Sequence, residues 1–273
     1  MDVDVDAGDA ALRAYYERGL ERDRLSSAGG QLEFARTCEI VLRALPPAPA
    51  LVADIGGGPG RYTLWLASLG YQVEHRDLIG LHVSQLAADA AGLPGVRTAV
   101  GDAREIDLSD ASADAVLLCG PLYHLSDVAE RSRALRETAR ILKPGGVLFA
   151  VAISRWAPRL RGILTKRIHQ AYPDALRFVA AAERTGIIPP LYEGSFTSCS
   201  HRPADLRAEL TAAGFDVTDV VSVEGPGMLH ADLEDRMADP AEREIVIEAA
   251  RALERVPELS GIGPHLLATA IRP

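Results

Sequence analysis

The stretch Val52-Ala53-Asp54-Ile55-Gly56-Gly57-Gly58-Pro59-Gly60 decides the fold of this 273-residue chain. It begins with an apolar run typical of a buried strand and continues into a glycine turn that precedes a predicted helix. Because glycine has no Cβ, the backbone of such a turn can approach a ligand closely. The start of the following helix offers unpaired N–H groups and the positive end of the helix dipole, which attract a carboxylate or a phosphate. The stretch therefore predicts a nucleotide-type binding site.

The spacing of the glycines distinguishes between the known kinds of nucleotide-binding turn. A dinucleotide-binding turn, Gly-x-Gly-x-x-Gly, would need its third glycine where this chain has Arg61. A P-loop would continue with Gly-Lys and then Ser or Thr, which this chain lacks. The glycines fall instead at Gly56, Gly58 and Gly60, with Asp54 two residues before the first. This Asp-x-Gly-x-Gly-x-Gly pattern resembles motif I of class I S-adenosylmethionine-dependent methyltransferases.

Short β-type runs alternate with amphipathic helical patterns along the rest of the chain. The predicted strands are Leu51–Ile55, Tyr71–Arg76, Val96–Val100, Ala115–Cys119, Val147–Ile153, Phe215–Val223 and His265–Ile271. Helices between strands imply right-handed crossovers and a parallel sheet that is covered on both faces. Together with the resemblance, this pattern predicts an α/β protein: a Rossmann-like three-layer α/β/α sandwich whose seven-stranded, mostly parallel sheet has an antiparallel last strand.

Two helical segments flank this predicted core. Apolar residues recur at helical spacing in residues 1–45, which we interpret as an N-terminal helical lid. Residues 155–213 are too long for a plain connection between strands and are interpreted as a helical cap, or substrate insert. We therefore predict a single methyltransferase domain, 1–273, whose Rossmann-like core comprises 46–154 and 214–273.

Composition limits the expected partners. The formal net charge is −9, and an acidic surface repels phosphate backbones, so no nucleic-acid partner is expected. The three cysteines are far apart, and the acidic N-terminus is unlike a signal peptide. No apolar run approaches the length of a membrane span. We expect a soluble, cytoplasmic protein with free thiols and no membrane partner. The sequence does not decide whether the protein forms a homodimer through its N-terminal arm.

The resemblance implies S-adenosyl-L-methionine as the cofactor. Asp77 ends the second predicted strand, where an acidic side chain binds both ribose hydroxyls; a solvent-facing carboxylate is the alternative. Asp102 follows the third strand, where the family contacts the adenine amino group; a helix-capping role in a plain turn is the alternative. Arg36 is predicted to reach the methionine carboxylate. The full set of predicted cofactor-binding residues is Asp54, Gly56, Gly58, Gly60, Asp77, Leu78, Asp102, Ala103, Cys119, Gly120, Tyr16 and Arg36.

In the family, the residues after the fourth strand face the transferred methyl group; here they are Cys119-Gly120-Pro121-Leu122-Tyr123-His124. Methyl transfer is an in-line displacement, so positioning should dominate, and a base helps only when the acceptor carries a proton. His124 is the predicted base because imidazole titrates near neutrality; capping or packing is the alternative. Tyr123 is predicted to bind or stack on the substrate. The loop lacks the leading side-chain acceptor of the Asn/Asp-Pro-Pro-Tyr motif, which argues against methylation of nucleobases or glutamine.

Candidate acceptor-binding residues lie near the end of the cap and at the last strand: Tyr192, Phe196, His201, Arg202 and His265. Aromatic side chains with one cation suit a small, flat or anionic substrate, although each residue also fits a packing role. The sequence contains no compact set of carboxylates of the kind that binds a metal ion, so no metal is expected. The predicted function is methyl transfer to a small-molecule, secondary-metabolite-like O or activated C acceptor. N-methylation of a small amine and a non-catalytic S-adenosylmethionine-binding module are the alternatives.

Overall fold

The computed structural model describes residues 5–273, which contain a nine-stranded sheet. The strands are β1 (Leu51–Ile55), β2 (Gln72–Asp77), β3 (Val96–Val100), β4 (Ala113–Leu118), β5 (Leu142–Ser154), β6 (Ile187–Ile188), β7 (Ser198–His201), β8 (Asp216–Ser222) and β9 (His265–Ile271). The α-helices are α1 (Val5–Tyr16), α2 (Ala28–Leu42), α3 (Arg61–Ser68), α4 (Gly80–Asp89), α5 (Pro121–His124), α6 (Val128–Ile141), α7 (Ala175–Thr185), α8 (Pro203–Ala212), α9 (Leu233–Ala238) and α10 (Pro240–Leu253). No helix in residues 5–273 is both long enough and apolar enough to cross a membrane.

The sheet combines a parallel half with an antiparallel edge. Strands β1 to β5 are parallel and lie side by side in the order β3-β2-β1-β4-β5. Strand β9 runs antiparallel to β5 and pairs on its other edge with β8. The prediction of a Rossmann-like α/β fold with an antiparallel last strand is confirmed.

The sheet has two more strands than the seven that the sequence predicts. Strands β6 and β7 form an antiparallel pair, and β7 joins the sheet beside the last residues of β5. They escaped prediction because β6 has two residues and β7 reads Ser-Cys-Ser-His, without the β-branched and aromatic residues that indicate a strand. The predicted helical cap contains this hairpin in addition to a π-helix at Pro158–Thr165, α7 and α8.

Alternate residues of β4 pack into two cores on opposite faces of the sheet. Val116 and Leu118 join a core that includes residues of α6 and α8. Ala115 and Leu117 join a core that includes residues of α2 and α3. All four side chains are fully buried, as expected for a central parallel strand whose successive side chains point to opposite faces. This double burial fixes where each strand ends, and therefore where the loops that follow the strands meet.

The loops that follow β1, β2 and β4 meet at one edge of the sheet. β1 lies between β2 and β4, and all three run in the same direction. The glycine turn after Ile55, the carboxylate of Asp77 and the loop after Leu118 are therefore neighbours in space. Crevices at the carboxyl ends of parallel strands are the usual ligand sites of such sheets.

Gly60 provides a test of the turn that begins α3. Its φ is +86°, and a Cβ at this position would overlap the side chain of Leu86, which is fully buried. Left-handed backbone costs about 1–2 kcal/mol and overpacking about 1–3 kcal/mol, so Gly60→Ala should lower the free energy of unfolding by about 2–5 kcal/mol in urea titrations. Gly80→Ala is the matched control, since nothing lies within 4 Å of its new Cβ. Equal stability of the two variants would contradict the predicted strain.

Candidate active site

A cleft of about 1100 Å³, part of it open to solvent, lies over the carboxyl ends of the parallel strands. Most of the residues predicted to bind cofactor or to act in catalysis line it: Tyr16, Gly56, Gly58, Asp77, Leu78, Asp102, Ala103, Cys119, Gly120, Tyr123 and His124. Residues that are distant in sequence, from α1 to the loop after β4, thus surround one space.

The glycine turn forms one wall of this cleft. Gly56 and Gly58 have φ values of +70° and +59°, and a Cβ on Gly56 would lie 2.6 Å from Pro121 Cδ. Glycine is therefore required at Gly56 both for its backbone conformation and for the close approach of the loop after β4. Two predicted residues support the turn from outside the cleft. Asp54 is fully buried and accepts a hydrogen bond from Thr63 Oγ1 at 2.7 Å, and Gly60 is the N-cap of α3.

Asp77 is held as a carboxylate at the centre of the cleft. Its Oδ2 accepts a hydrogen bond from Gly58 N at 2.8 Å, and its Oδ1 accepts from Ile79 N at 2.8 Å and from His82 Nδ1 at 3.0 Å. Burial raises the pKa of Asp77, but His82 and the two backbone N–H groups outweigh burial and hold the pKa below its usual range. A carboxylate can accept about four hydrogen bonds, so these three contacts leave capacity on Oδ2 for a ligand hydroxyl.

Asp102 is tied to Arg104 at the other end of the cleft. Asp102 Oδ1 accepts a hydrogen bond from Arg104 N at 2.8 Å, and its carboxylate pairs with the guanidinium at 2.6 Å. Burial raises the pKa of Asp102, whereas these contacts lower it below its usual value. The same guanidinium also pairs with Asp9 at 2.5 Å and with Glu130 at 3.0 Å. Asp102 therefore both stabilises its own turn and lines the cleft.

Helix α1 covers the cleft through polar contacts with three different loops. Asp9 pairs with Arg104 after β3, and Arg13 Nη1 donates to Leu78 O after β2 at 2.8 Å. Tyr16 Oη forms a 3.0 Å hydrogen bond with His124 Nε2 after β4. Tyr16 thus lies at the position that the sequence predicts for it.

Arg36 does not reach the cleft. Its side chain is fully buried, pairs with Glu39 and Glu254, and donates to Val223 O at 3.4 Å. Helical periodicity places Arg36 in α2 but does not show which neighbours surround it, so the predicted contact with a methionine carboxylate is not supported by its position.

Two residues missed by sequence reasoning line the cleft beside the glycine turn. Arg24 pairs with Glu21 at 2.5 Å and with Glu33 at 2.6 Å. Glu21 Cγ would lie 3.8 Å from a Cβ on Gly58, so Glu21 faces the turn directly. The acid-x-x-base spacing of Glu21 and Arg24 directly after a helix is a weak signal for an ion pair. The sequence does not indicate that the pair faces the turn.

The loop after β4 places a neutral imidazole in the cleft. Tyr123 Oη donates to Cys119 O at 3.0 Å, which secures the loop. Burial raises the pKa of the Cys119 thiol, so it stays protonated, and all three cysteines are free. Burial lowers the pKa of His124 to about 4, with Arg24 adding to the shift and Asp77 opposing it. His124 Nδ1 is buried without a hydrogen-bond partner.

A second cavity, of about 940 Å³ including open solvent, adjoins the first. The residues that line both cavities are Asp9, Leu12, Arg104, His124 and Leu125. Phe196 lines the second cavity, and its ring lies 5.2 Å from that of His124 and 5.9 Å from that of Tyr16, between centroids. Phe196 is thus placed where an acceptor could lie beside the cofactor cleft.

The other predicted acceptor residues lie outside both cavities. Tyr192 is 41% exposed and stacks on Tyr172, with 5.7 Å between ring centroids. His201 is buried and forms a 2.9 Å hydrogen bond with Glu209 Oε2, while Arg202 is exposed at the start of α8. These side chains have structural partners or face solvent, because β7 carries this part of the cap into the sheet.

His265 belongs to a buried cluster of charges. Its Nδ1 lies 2.5 Å from Glu224 Oε1 and 3.8 Å from Glu33 Oε2. Burial lowers the pKa of His265, but the two carboxylates raise it above its usual value. Within residues 5–273, this is the one set of three side chains with metal-ligand spacing. Both oxygens of Glu33 are, however, bonded to Arg24, so the cluster neutralises its charges internally.

Comparison with known proteins agrees with this geometry. Residues 53–150 match the family model described as "Methyltransferase domain". An uncharacterized methyltransferase of Mycobacterium tuberculosis is 40% identical over 104 residues, which are 38% of this chain and 40% of that protein. A ubiquinone/menaquinone biosynthesis C-methyltransferase of Caulobacter is 27% identical over 191 residues, 65% of this chain and 71% of that protein. The crystal structure of a SAM-dependent methyltransferase from Methanosarcina mazei, 21% identical, superposes with a TM-score of 0.58 over 85% of this chain and 96% of that chain.

The residues that match the family model contain the glycine turn, Asp77, Asp102 and the loop after β4. The chain spans two fifths of the length of the Mycobacterium relative that it matches. Residues 53–150 match a methyltransferase domain, and the Methanosarcina structure shares the Rossmann-like fold of the chain. The predicted resemblance to the methyltransferase family is confirmed for residues 53–150.

Proposed function

We propose that this protein transfers the methyl group of S-adenosylmethionine to an oxygen or an activated carbon of a small molecule. The observation that carries the proposal is the position of His124, which lines both cavities and whose buried Nδ1 has no partner. A buried polar atom without a partner is costly, and such atoms occur where a ligand supplies the missing hydrogen bond.

The first cavity has groups that fit each part of S-adenosylmethionine. Asp77 is a charged acceptor for the ribose hydroxyls, and Asp102 with Ala103 N–H is suited to the edge of the adenine ring. Glu21 and Arg24 carry opposite charges, so Glu21 fits the ammonium and Arg24 fits the carboxylate of the amino-acid end. In this proposal Arg24 takes the role predicted for Arg36, because it lines the cleft and pairs with Glu21, which faces the glycine turn.

The residues around the acceptor act by positioning and by accepting a proton. When bound, S-adenosylmethionine supplies a methyl group on a cationic sulfur that departs as a neutral thioether. Phe196 and the loop after β4 hold the acceptor in place. Such positioning lowers the activation barrier by about 7–11 kcal/mol in well-oriented reactions. Tyr16 fixes the imidazole of His124, whose Nδ1 accepts the proton that an O–H acceptor loses. Because the pKa of His124 is about 4, the imidazole is neutral at physiological pH and available as an acceptor.

We also propose the division predicted above: residues 1–45 as a lid, 155–213 as a cap, and a core of 46–154 and 214–273. Support comes from α1, whose contacts close the first cavity, and from Phe196 of the cap, which lines the second.

Isothermal titration calorimetry tests the proposal at the cofactor step. S-adenosylmethionine and S-adenosylhomocysteine should each bind with one site per chain, and NAD should not bind. Absence of binding by both S-adenosyl compounds would overturn the proposal. Release of S-adenosylhomocysteine in the presence of acceptor mixtures then separates a transferase from a binding module.

A further inference from the structure

The charges of the second cavity are predominantly negative. Its ionisable side chains are Asp9, Arg104, Asp127 and Glu130, and His124 is neutral. Three carboxylates against one guanidinium leave two net negative charges around a space of about 940 Å³. This cavity adjoins the cofactor cleft, so its charge bears directly on the acceptor that the proposed function requires.

The guanidinium in the cavity is already fully engaged. Arg104 pairs with Asp9 at 2.5 Å, with Asp102 at 2.6 Å and with Glu130 at 3.0 Å. Three carboxylates around one guanidinium stabilise its charged form and leave it no surplus positive charge for an anionic ligand. Asp127 adds a further carboxylate at the exposed mouth. Its Oδ1 accepts the N–H groups of Ala129 and Glu130 as the cap of α6, which leaves Oδ2 free.

The opposite side of the cavity is apolar and aromatic. Phe196 packs edge-on against Tyr15, with 5.0 Å between ring centroids, and lies close to the rings of Tyr16 and His124. Leu12, Leu125 and Pro190 complete this side. Of the 14 Phe, Trp and Tyr residues of the chain, Phe196 lines this cavity, and Tyr15 and Tyr16 pack against its ring. Such a surface favours a flat ring, and aromatic faces attract cations.

We infer that the acceptor is a flat ring compound that carries a protonated amine. The ring lies against Phe196 with the methylated atom near His124 Nδ1, and the ammonium faces Glu130 and Asp127. An anionic acceptor, which the sequence leaves open, would meet a cavity with two net negative charges. This inference rests on the proposed function, because it assumes that the second cavity holds the acceptor.

Binding of three phenols that differ only in side-chain charge tests the inference. The probes are tyramine, 4-ethylphenol and 4-hydroxyphenylacetate, titrated calorimetrically into protein saturated with S-adenosylhomocysteine. Since a hydrogen bond to a charged group contributes about 10- to 100-fold in affinity, tyramine should bind at least about tenfold more tightly than 4-ethylphenol. The carboxylate probe should bind most weakly. Equal affinities, preference for the anion, or no detectable binding of tyramine at millimolar concentration would each overturn the inference.

Two variants localise the effect to the cavity. Glu130→Gln and Asp127→Asn should each reduce the preference for tyramine over 4-ethylphenol by about fivefold or more, because each removes one carboxylate. Asparagine is itself a good N-cap, so Asp127→Asn keeps the start of α6 intact even if Glu130→Gln disturbs Arg104. Glu258→Gln is the control: it removes one negative charge at an exposed position that lines neither cavity, and the preference should stay unchanged. A preference that survives both cavity variants, or that falls equally in the control, would contradict the assignment.

The design distinguishes failure of this inference from failure of the proposed function. If S-adenosylhomocysteine does not bind in the first titration, the proposed function fails. If it binds and the ternary complex shows no preference for the cation, only the acceptor class is wrong.

Discussion

Replacing His124 with alanine is expected to lower kcat by about 10²–10⁴-fold, the range typical of a general base, while the affinity for S-adenosylhomocysteine changes by less than about threefold. The imidazole lines both cavities and is not among the groups assigned to hold the cofactor, so its loss should affect proton transfer far more than cofactor binding. Rates of S-adenosylhomocysteine release and calorimetric affinities measure the two quantities separately.

The pH dependence of the same reaction follows from the pKa of His124. Burial lowers this pKa to about 4, so the group is neutral above that value and becomes protonated only as the pH falls through it. The ratio kcat/KM should therefore stay level from neutral pH down to about pH 5 and decline below it, without the inflection near 6.5 that an unperturbed histidine would give.

The exposed His169 of the cap provides the matched control, since it lines neither cavity. His169→Ala should leave both kcat and the pH profile unchanged. If His124→Ala retains kcat within about threefold of the parent protein, positioning alone would account for the rate and His124 would be a packing residue.

Replacing Asp77 with asparagine is expected to weaken S-adenosylhomocysteine binding by about 10–100-fold, because hydrogen bonds to a charged group contribute about 1.5–3 kcal/mol. The substitution keeps the size of the side chain but removes the charge that receives Gly58 N–H, His82 and, as proposed, the ribose hydroxyls. Calorimetric titration of S-adenosylhomocysteine gives the change in affinity, and thermal unfolding reports any loss of stability.

Asp114 is a suitable control for Asp77. Like Asp77, it accepts a backbone hydrogen bond, here from Leu51 N at 2.9 Å. It also pairs with Lys143 Nζ at 2.6 Å, but it does not line the cleft. Asp114→Asn should therefore cost stability without changing the affinity for S-adenosylhomocysteine. If both variants bind the ligand equally well, Asp77 would be a structural residue of the turn.

Prediction from the sequence succeeded where a pattern is local. The bounds of β9 agree residue for residue with the sequence, and those of β1 and β3 do as well. Asp77 and Asp102 lie at strand ends, where periodicity and the glycine spacing place them. The bounds of β2, β4 and β8 shift by one or two residues, the usual uncertainty at element ends, whereas β5 begins five residues before the predicted Val147. Whether the predicted site residues act as proposed stays a prediction.

Prediction failed where the partner of a long side chain is distant in sequence. Arg36 and Arg24 are both arginines of the N-terminal segment, yet Arg36 pairs with Glu254, 218 residues away, and Arg24 faces the cleft. His265 and His201 likewise have carboxylate partners that no spacing rule connects. The hairpin of β6 and β7 depends on an edge that only the end of β5 offers.

The sequence by itself determined the parallel α/β core and the class of cofactor. Strand alternation and glycine spacing are properties of neighbouring residues, so they can be recognised without the tertiary structure. The tertiary structure alone decided that Arg24 and not Arg36 lines the cleft, that His124 is half-buried with a lowered pKa, and that the second cavity is negatively charged. These features arise where α1, the loop after β4 and the cap converge. Burial and electrostatic environment are properties of such convergence and are not encoded in any single segment.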